Sequence, residues 1–385
     1  MDFQIFAKPI GPRCNLNCSY CYYTGKNNLY EDSPVHLMDD DLLEQYIIRH
    51  IQASGSDEVM FSWHGGEPLL AGIDFYKKAI NLQRKHLPRG MHLMNGIQTN
   101  GTLLNMNWCK FLARENFLTG ISIDGPAHLH NSFRMDHRGE GTFDKVMRGY
   151  KLLQQYGITS EILCVVHSQN VHHPLEIYNF FKSLGVRFIT FIPLVERMPG
   201  TATGVTPDSV PSEAFGHFLV SVFDEWIEND IGAIQVQIFE EALRPALNRE
   251  HTLCIFKKEC GRVPVVEHNG DYYACDHFVD DAHRFGNIRN KTITEMLNSP
   301  EQKAFGRLKS ETLPAYCMQC QVKDMCNGEC PKNRFLLTPD GEPGLNYLCS
   351  GYQVFFQYFE PFAMAVRQLS DKSGQETFPV NQENG

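Results

Sequence analysis

The sequence lacks the features that mark membrane, secreted and nucleic-acid-binding proteins. It has no run of about eighteen apolar residues, the length that a membrane-spanning helix needs. Its N-terminus shows no basic segment followed by an apolar one, so no signal peptide is predicted. Positive charge is in deficit, with 35 Lys and Arg against 45 Asp and Glu, which argues against nucleic acid or an anionic membrane as the main partner. We therefore expect a cytoplasmic protein.

Cysteine, by contrast, is abundant, with 13 in 385 residues. In a reducing compartment so many cysteines indicate metal binding or catalysis rather than disulfides. Three lie in one loop near the N-terminus and eight lie between Cys254 and Cys349, which indicates two separate sites. The other two, Cys109 and Cys164, fall in a predicted helix and a predicted strand, and we expect them to be buried in the core.

Short β-rich runs alternate with helix-period stretches from residue 3 to about 240, which predicts βα units around a parallel sheet. The predicted strands are Phe3–Lys8, Glu58–Trp63, Leu93–Thr99, Leu118–Ile123, Glu161–Val166, Phe188–Pro193 and Ala233–Ile238. A helix is predicted after Asp39, and others at Ile73–His86, Asn105–Glu115, Thr142–Tyr156, Pro174–Leu184 and Ser212–Glu228. The alternation alone is compatible with a barrel and with an open doubly wound sheet.

The alternation stops near residue 245, where we place a domain boundary between residues 1–245 and a cysteine-rich domain at 246–370. Residues 197–211, rich in Gly and Pro, are predicted to form a loop. Beyond the boundary, Val263–Glu267 and Asp271–Ala274 flank an Asn-Gly turn and predict a hairpin. Residues 371–385 are polar and are expected to be disordered.

The opening cysteines, Cys14, Cys18 and Cys21, have the spacing C-x3-C-x2-C. Three thiolates in one loop can hold three irons of a four-iron cluster and leave the fourth iron open to a small chelating molecule. The spacing is not that of a zinc ribbon. With Tyr20 before the last cysteine, the motif resembles the signature of radical S-adenosylmethionine (SAM) enzymes. The alternative is a structural loop that binds no metal.

A second motif, Trp63-His64-Gly65-Gly66-Glu67-Pro68, follows the second predicted strand. Its glycines allow backbone to approach a ligand closely, and Glu67 can accept a hydrogen bond from an ammonium group. Taken alone, Gly-Gly-Glu-Pro is compatible with a simple turn. In radical SAM enzymes such a stretch cradles the amino group of SAM, and the resemblance implies a partial (β/α)6 TIM-type barrel whose site lies at the carboxyl ends of the strands.

Polar residues follow other predicted strands as well, in Gln98–Gly101, Ser122–Pro126 and Ile192–Arg197. The resemblance implies that residues at these ends, with Ser122 among them, hold the carboxylate and ribose of SAM. Arg134 is expected to be a further cofactor-binding residue. Val195 is expected to pack on the adenine. An ordinary turn is the alternative for each stretch taken alone.

The later cysteines are spaced C-x9-G-x4-C from Cys260 to Cys275 and C-x2-C-x5-C-x3-C from Cys317 to Cys330, with Cys254 upstream and Cys349 downstream. This pattern resembles the SPASM extension of radical SAM enzymes. The resemblance implies two auxiliary 4Fe-4S clusters, three clusters in all, and assigns Cys254, Cys260, Cys275 and Cys330 to one and Cys317, Cys320, Cys326 and Cys349 to the other. Zinc at the C-x2-C pair is the alternative.

Further runs narrow the resemblance to the anaerobic sulfatase-maturating enzymes: Phe191–Arg197, Asp124-Gly125-Pro126 with Arg134, Gly139–Phe143 with Val146–Gly149, and Cys275-Asp276-His277. It implies oxidation of Cys or Ser in a sulfatase Cys/Ser-x-Pro-x-Arg motif to formylglycine, with Asp276 as the base. A surface aspartate is the alternative for Asp276. His64 departs from the glutamine expected before Gly-Gly-Glu-Pro, which puts in doubt a contact near the methionine end of SAM.

The resemblance also implies a flavodoxin or ferredoxin as electron donor, and we expect a monomer. Two rival functions stay open. One is another SPASM peptide-modifying enzyme that forms a thioether, a crosslink or an epimer. The other is a non-catalytic iron–sulfur or zinc protein.

Overall fold

The computed structural model describes residues 3–30 and 36–373. Its strands are β1 Phe6–Lys8, β2 Glu58–Trp63, β3 His92–Thr99, β4 Leu118–Ser122, β5 Ser160–Val166, β6 Phe188–Pro193, β7 Gln235–Val236, β8 Val265–Glu267, β9 Asp271–Tyr273, β10 Arg284–Asn287, β11 Arg334–Leu337 and β12 Pro343–Asn346. Its α-helices are α1 Asp40–Ala53, α2 Ile73–His86, α3 Met106–Arg114, α4 Ala127–His130, α5 Phe143–Gln155, α6 Pro174–Ser183, α7 Ser212–Asn229, α8 Gln237–Leu243, α9 Ile293–Leu297, α10 Pro300–Glu311, α11 Ala315–Met318, α12 Lys323–Cys326 and α13 Cys349–Ser373.

One large sheet organises the molecule, with the strand order β10-β9-β8-β1-β2-β3-β4-β5-β6-β7. Strands β1 to β7 pair in parallel with their sequence neighbours. This sequential order, without the reversal of a doubly wound sheet, is typical of a (β/α) barrel. Among the described strands β7 and β10 form the two ends of the sheet, so the predicted partial barrel is confirmed.

The predicted strands and helices of the first 230 residues match the structure within a few residues, and β2, β6 and α2 match it at both ends. The exception is the strand predicted at Ala233–Ile238, which is wrong at both ends because β7 contains only Gln235 and Val236. The amides of Ala233 and Ile234 bond back to the carbonyl of Asp230 in a turn. Ile238 and Phe239 are buried on α8 instead.

The hairpin predicted beyond residue 245 is present as β8 and β9, and it joins the barrel sheet rather than forming a separate one. β8 pairs in parallel with β1, and β9 pairs antiparallel with β8. The strands of the cysteine-rich region therefore continue the sheet of the first region, and one hydrophobic core contains residues from both sides of position 245.

The long helix α13 was not predicted, although Tyr352, Phe355, Phe356 and Phe359 recur at helical spacing and are buried. It packs along α7 with its backbone close to that helix. A Cβ atom at Gly351 would lie 2.0 Å from the carbonyl oxygen of Ser212, and one at Gly216 would lie 2.4 Å from that of Gly351. Two glycines therefore permit this packing.

Three predictions remain: the burial of two cysteines, a disordered C-terminal tail and the lack of a membrane-spanning helix. Cys109 and Cys164 are fully buried in the core, as expected. Residues 371–373, predicted to be disordered, are wrongly assigned because α13 extends to Ser373, and residues 374–385 lie outside the described part of the chain. Within the described residues, no helix combines the length and the apolar character that crossing a membrane requires.

Candidate active site

The loop after β1 brings Cys14, Cys18 and Cys21 together. Their thiols are free and half-buried. Burial is the main cause that raises the pKa of Cys14 to about 12, and the negative charges of Glu67, Cys18 and Cys21 contribute to this rise. Three free thiols that oppose each other's ionisation in this way would be stabilised as thiolates by the iron ions of a bound cluster. The loop therefore fits the predicted cluster, and the ligand role of its cysteines stays a prediction.

The Gly65-Gly66-Glu67 segment after β2 packs directly on this loop. The amide of Gly66 donates to the carbonyl of Gly11 and that of Glu67 to the carbonyl of Arg13, both at 2.9 Å. A Cβ atom at Gly66 would lie 2.0 Å from the Arg13 oxygen, and Gly65 has a φ of 128°. Both glycines thus have a structural role, because they allow the loop after β2 to pack closely against the loop that carries the three cysteines.

The carboxylate of Glu67 is fully buried and faces the end of β3. It accepts hydrogen bonds from the Thr99 hydroxyl and the Asn100 amide, both at 2.7 Å, and from the Leu69 amide at 3.0 Å. A carboxylate has about four acceptor positions, so a position remains for the predicted ammonium group. Burial raises the pKa of Glu67 to about 7, although the three hydrogen bonds lower it.

Asp124, at the end of β4, brings together two residues that the sequence predicted separately. It accepts a hydrogen bond from the Tyr20 hydroxyl at 2.6 Å and forms an ion pair with Arg134, whose Nε lies 2.8 Å from Oδ2. The Val165 amide donates to Oδ1 at 2.9 Å. Burial alone would raise the pKa of Asp124, but the charge and hydrogen bonds of Arg134 lower it below its usual range. The cysteine loop is therefore anchored to the ends of β4 and β5.

The central position of Asp124 was not predicted, although the sequence placed it at a strand end.

Ser122 and Val195, which were predicted to contact SAM, do not belong to the group of residues around Asp124. Ser122 is half-buried and accepts a hydrogen bond from the Gln98 amide at 3.2 Å. The Val195 side chain is buried, and its carbonyl accepts a hydrogen bond from Lys332 at 2.7 Å. Their predicted contacts with SAM stay predictions.

Asp276 lies at the junction of the two cysteine regions, directly after Cys275. Lys8, at the end of β1, forms an ion pair with Asp276 Oδ1, and the Tyr22 hydroxyl donates to Oδ2. The Asp276 side chain is 18% exposed, whereas that of Lys8 is 1% exposed. Burial alone would raise the pKa of Asp276, but Lys8, His277 and Tyr22 hold it well below its usual range. Asp276 is therefore ionised and partly accessible.

Two contacts with aromatic rings lie beside the ion pair of Lys8 and Asp276. The Lys8 ammonium lies 3.3 Å from the centre of the Tyr23 ring, a cation–π contact. The ring of His64 stacks on Phe6 with centroids 4.0 Å apart, and burial lowers the pKa of His64 to about 4, so it is neutral. Neither Lys8 nor Tyr22 was predicted. Lys8 could have been found from its position at the end of a barrel strand, and Tyr22 from its position directly after Cys21.

The eight later cysteines form two groups in space. In the first, Cys275 lies near Cys254 and Cys260, and Cys330 lies near Cys275 and Cys254, so that each thiol raises the pKa of its neighbours in addition to the larger effect of burial. The second group consists of Cys317, Cys320, Cys326 and Cys349, and its four members line one cavity. The groups have the membership that the SPASM resemblance implies.

All eight thiols are free, and burial raises the pKa of Cys326 and of Cys349 to about 12. Four thiols around one space are a ligand set that suits an iron–sulfur cluster. Both groups therefore fit auxiliary clusters.

Comparisons with known proteins agree with this geometry. Residues 9–181 match the radical SAM superfamily, and residues 258–321 match SPASM, an iron–sulfur cluster-binding domain. The chain is 44% identical to the serine-type anaerobic sulfatase-maturating enzyme of Bacteroides thetaiotaomicron, over 93% of this chain and 89% of that one. It is 34% identical to the cysteine-type enzyme of Clostridium perfringens strain 13, over 93% and 96%.

Among solved structures, the chain is similar to native anSMEcpe with bound AdoMet and Cp18Cys peptide, with a TM-score of 0.86 at 33% identity, covering 95% of this chain and 99% of that one. SAM and an iron–sulfur cluster are the cofactors of the radical SAM core, and the SPASM domain binds additional clusters. The chain belongs to the anaerobic sulfatase-maturating enzymes, a family of radical SAM enzymes that carry a SPASM domain.

Proposed function

We propose that this chain oxidises the Cys or Ser side chain of a sulfatase Cys/Ser-x-Pro-x-Arg motif to formylglycine. The observation that carries the proposal is the ionised, partly exposed Asp276, which is held by Lys8 and Tyr22 and directly follows Cys275. The serine-type and cysteine-type relatives support it, as does the similar structure that contains a bound peptide.

We assign Cys14, Cys18 and Cys21 to the cluster that binds SAM, and the two later cysteine groups to auxiliary clusters. Tyr20, Gly65, Gly66, Glu67, Ser122, Arg134 and Val195 are assigned to the SAM region. When bound, SAM and the clusters supply radical formation, removal of a hydrogen atom and acceptance of an electron. The chain's own residues position the substrate carbon and receive its proton.

The reaction removes a hydrogen atom, a proton and an electron from the substrate side chain, which leaves the aldehyde from Ser and a thioaldehyde from Cys. Water then converts the thioaldehyde to the aldehyde with release of hydrogen sulfide. Asp276 receives the proton from the substrate sulfur or oxygen, as a base within hydrogen-bond reach must. A carboxylate with a strongly lowered pKa is a weak base toward an ordinary thiol or alcohol. It suffices here because an S–H or O–H group next to a carbon that has lost a hydrogen atom is much more acidic than its parent.

Lys8 and Tyr22 fix the position of the Asp276 carboxylate. Lys8 comes from the rigid end of β1 and contacts Tyr23, so its ammonium group has a defined place. Tyr22 approaches from the cysteine loop. The base is therefore oriented by β1 and by the loop after it, which carries the first cysteine triplet. This couples the position of the base to the proposed site of radical formation.

We further propose a cytoplasmic monomer that takes its electrons from a flavodoxin or ferredoxin. Thirteen free cysteines support a reducing compartment, because the described thiols form no disulfide.

The test is anaerobic incubation of the reconstituted protein with SAM, a reductant and matched Cys-type and Ser-type sulfatase peptides, read by mass spectrometry. We expect an aldehyde product. Asp276→Asn should lose this product while SAM cleavage continues, and the exposed Asp281→Asn is the matched control. SAM cleavage without aldehyde from either peptide would favour another peptide-modifying activity. Wild-type aldehyde formation by Asp276→Asn would refute its assignment as the base.

A further inference from the structure

Lys309, on α10, is a fully buried lysine next to the first group of later cysteines. Its side chain is 0% exposed. The ammonium group donates to the backbone carbonyls of Cys254 at 2.9 Å and of Ile255 at 2.6 Å. Its hydrogen-bond acceptors are thus neutral carbonyls. Lysine is rarely buried completely without a negative partner, because removing an ammonium ion from water is strongly unfavourable.

The acidic groups near Lys309 are the thiols of Cys260 and Cys254 and the buried carboxyl group of Glu329. Burial lowers the pKa of Lys309, whereas Cys260, Glu329 and Cys254 raise it. Glu329 is itself buried, and its carboxylate accepts hydrogen bonds from Asn346 at 2.7 Å and from Asn333 at 3.0 Å. Burial raises the pKa of Glu329, which weakens it as a counter-charge. Thiolates of Cys254 and Cys260 would supply the missing negative charge.

Arg334, at the start of β11, is a second cation, and it lies between the two cysteine groups. It interacts electrostatically with Cys326 and Cys317 of one group and with Cys260 of the other. Its Nη1 donates to the carbonyl of Lys309, so the two cations belong to one hydrogen-bonded unit.

Arg334 also fixes the segment that joins the two groups. Residues Asn327, Gly328 and Glu329, between Cys326 and Cys330, all have positive φ, of 46°, 71° and 51°. A left-handed conformation is unfavourable for most non-glycine residues. The guanidinium group stabilises this turn by donating to the carbonyls of Gly328 at 2.7 Å and Asn327 at 2.8 Å. It therefore places a positive charge where the chain passes from one group to the other.

We propose that Lys309 and Arg334 are positioning residues that set the reduction potentials of the auxiliary clusters, Lys309 that of the Cys254 group and Arg334 those of both groups. This inference rests on the ligand sets of the proposed function. Reduction adds negative charge to an already anionic cluster, so a nearby buried cation stabilises the reduced state more than the oxidised one. Each cation therefore raises the potential of the cluster beside it and favours the acceptance of an electron close to Asp276.

The test is a redox titration of the full-length chain, followed by electron paramagnetic resonance. A background variant with Cys14, Cys18 and Cys21 changed to Ala leaves only the auxiliary clusters to be observed. Lys309→Gln keeps a hydrogen-bond donor but removes the positive charge. Lys309→Arg keeps the donor and the charge. Lys303→Met, an exposed lysine on the same helix, is the matched control.

We expect Lys309→Gln to bind wild-type iron and to shift one midpoint potential to a more negative value. Lys309→Arg and Lys303→Met should titrate like the parent. Arg334→Gln should shift both midpoints in the same direction. The inference is overturned if iron-loaded Lys309→Gln and Arg334→Gln keep the parent potentials, or if Lys309→Gln and Lys309→Arg lose iron equally, which would indicate a purely structural side chain.

Failure of the proposed ligand sets would look different. In that case the parent itself would hold less iron than two auxiliary clusters need, roughly eight irons per chain in this background. Iron counting before each titration therefore separates a wrong cluster assignment from a wrong role for the two cations.

Discussion

The ammonium group of Lys8 and the carboxylate of Asp276 form an ion pair that joins the end of the first barrel strand to the residue after Cys275. The pair connects the region proposed to form the radical with the region proposed to accept the electron. It also keeps Asp276 ionised, since Lys8 lowers the pKa of this partly buried carboxyl group.

Lys8→Met should shift the pH dependence of peptide oxidation. The Asp276 carboxyl has a lowered pKa in the native protein, so it stays ionised through the neutral range. Without the Lys8 cation the pKa of Asp276 rises. As the pH is lowered, Asp276 therefore becomes protonated at a higher pH than in the wild type. We expect the acidic limb of the rate–pH profile to move to higher pH while SAM cleavage changes little. Lys77→Met, which alters an exposed ion pair, should leave the profile unchanged.

Gly66→Ala should disrupt the first cluster selectively. The added Cβ would lie 2.0 Å from the Arg13 carbonyl oxygen, so the loop that carries Cys14 must move. Overpacking of this kind costs about 1–3 kcal/mol. We expect loss of SAM cleavage and roughly four fewer irons per chain by iron analysis. Gly55→Ala, where a Cβ meets no atom within 4 Å, is the control. Full iron content in Gly66→Ala would contradict the prediction.

SAM binding should weaken as the pH falls through about 7. Burial raises the pKa of Glu67 to about 7, and only its carboxylate form attracts the ammonium group of SAM. Equilibrium dialysis across the neutral range should show the affinity falling toward acid pH. Glu67→Gln should bind more weakly above pH 7 and lack this part of the pH dependence. An unchanged pH profile in Glu67→Gln would show that Glu67 serves only to hold Thr99 and Asn100.

Asp124→Asn should destabilise the protein strongly. It removes the buried partner of Arg134, and breaking a buried ion pair on one side costs about 3–5 kcal/mol. The native pKa of Asp124 is lowered, so the stabilisation is present above the unfolded-state pKa and is lost as the pH falls through the native pKa. Denaturant unfolding near neutral pH should therefore show the difference in full. Asp74→Asn, which affects the exposed pair with Lys77, should change stability little.

Much of the fold follows from local patterns. The strands at Glu58–Trp63 and Phe188–Pro193 and the helix at Ile73–His86 have clear periodicity and flanking turns, so their limits were predicted correctly. The strand predicted at Ala233–Ile238 failed because a short apolar run fits a strand and a buried helix equally well. Helix α13 was missed because cysteines and turn residues dominate the region before it.

Local sequence motifs are enough to predict the chemistry of this protein. The spacing of Cys14, Cys18 and Cys21, the Gly-Gly-Glu-Pro stretch and the later cysteine pattern place ligand types within short segments, and short segments can be read without a structure. The tertiary structure decided which distant residues meet. Lys8 with Asp276, Tyr20 and Arg134 with Asp124, and Lys309 with Cys254 are contacts between separate elements. Such contacts depend on strand order and packing, for which a single sequence contains no periodic signal.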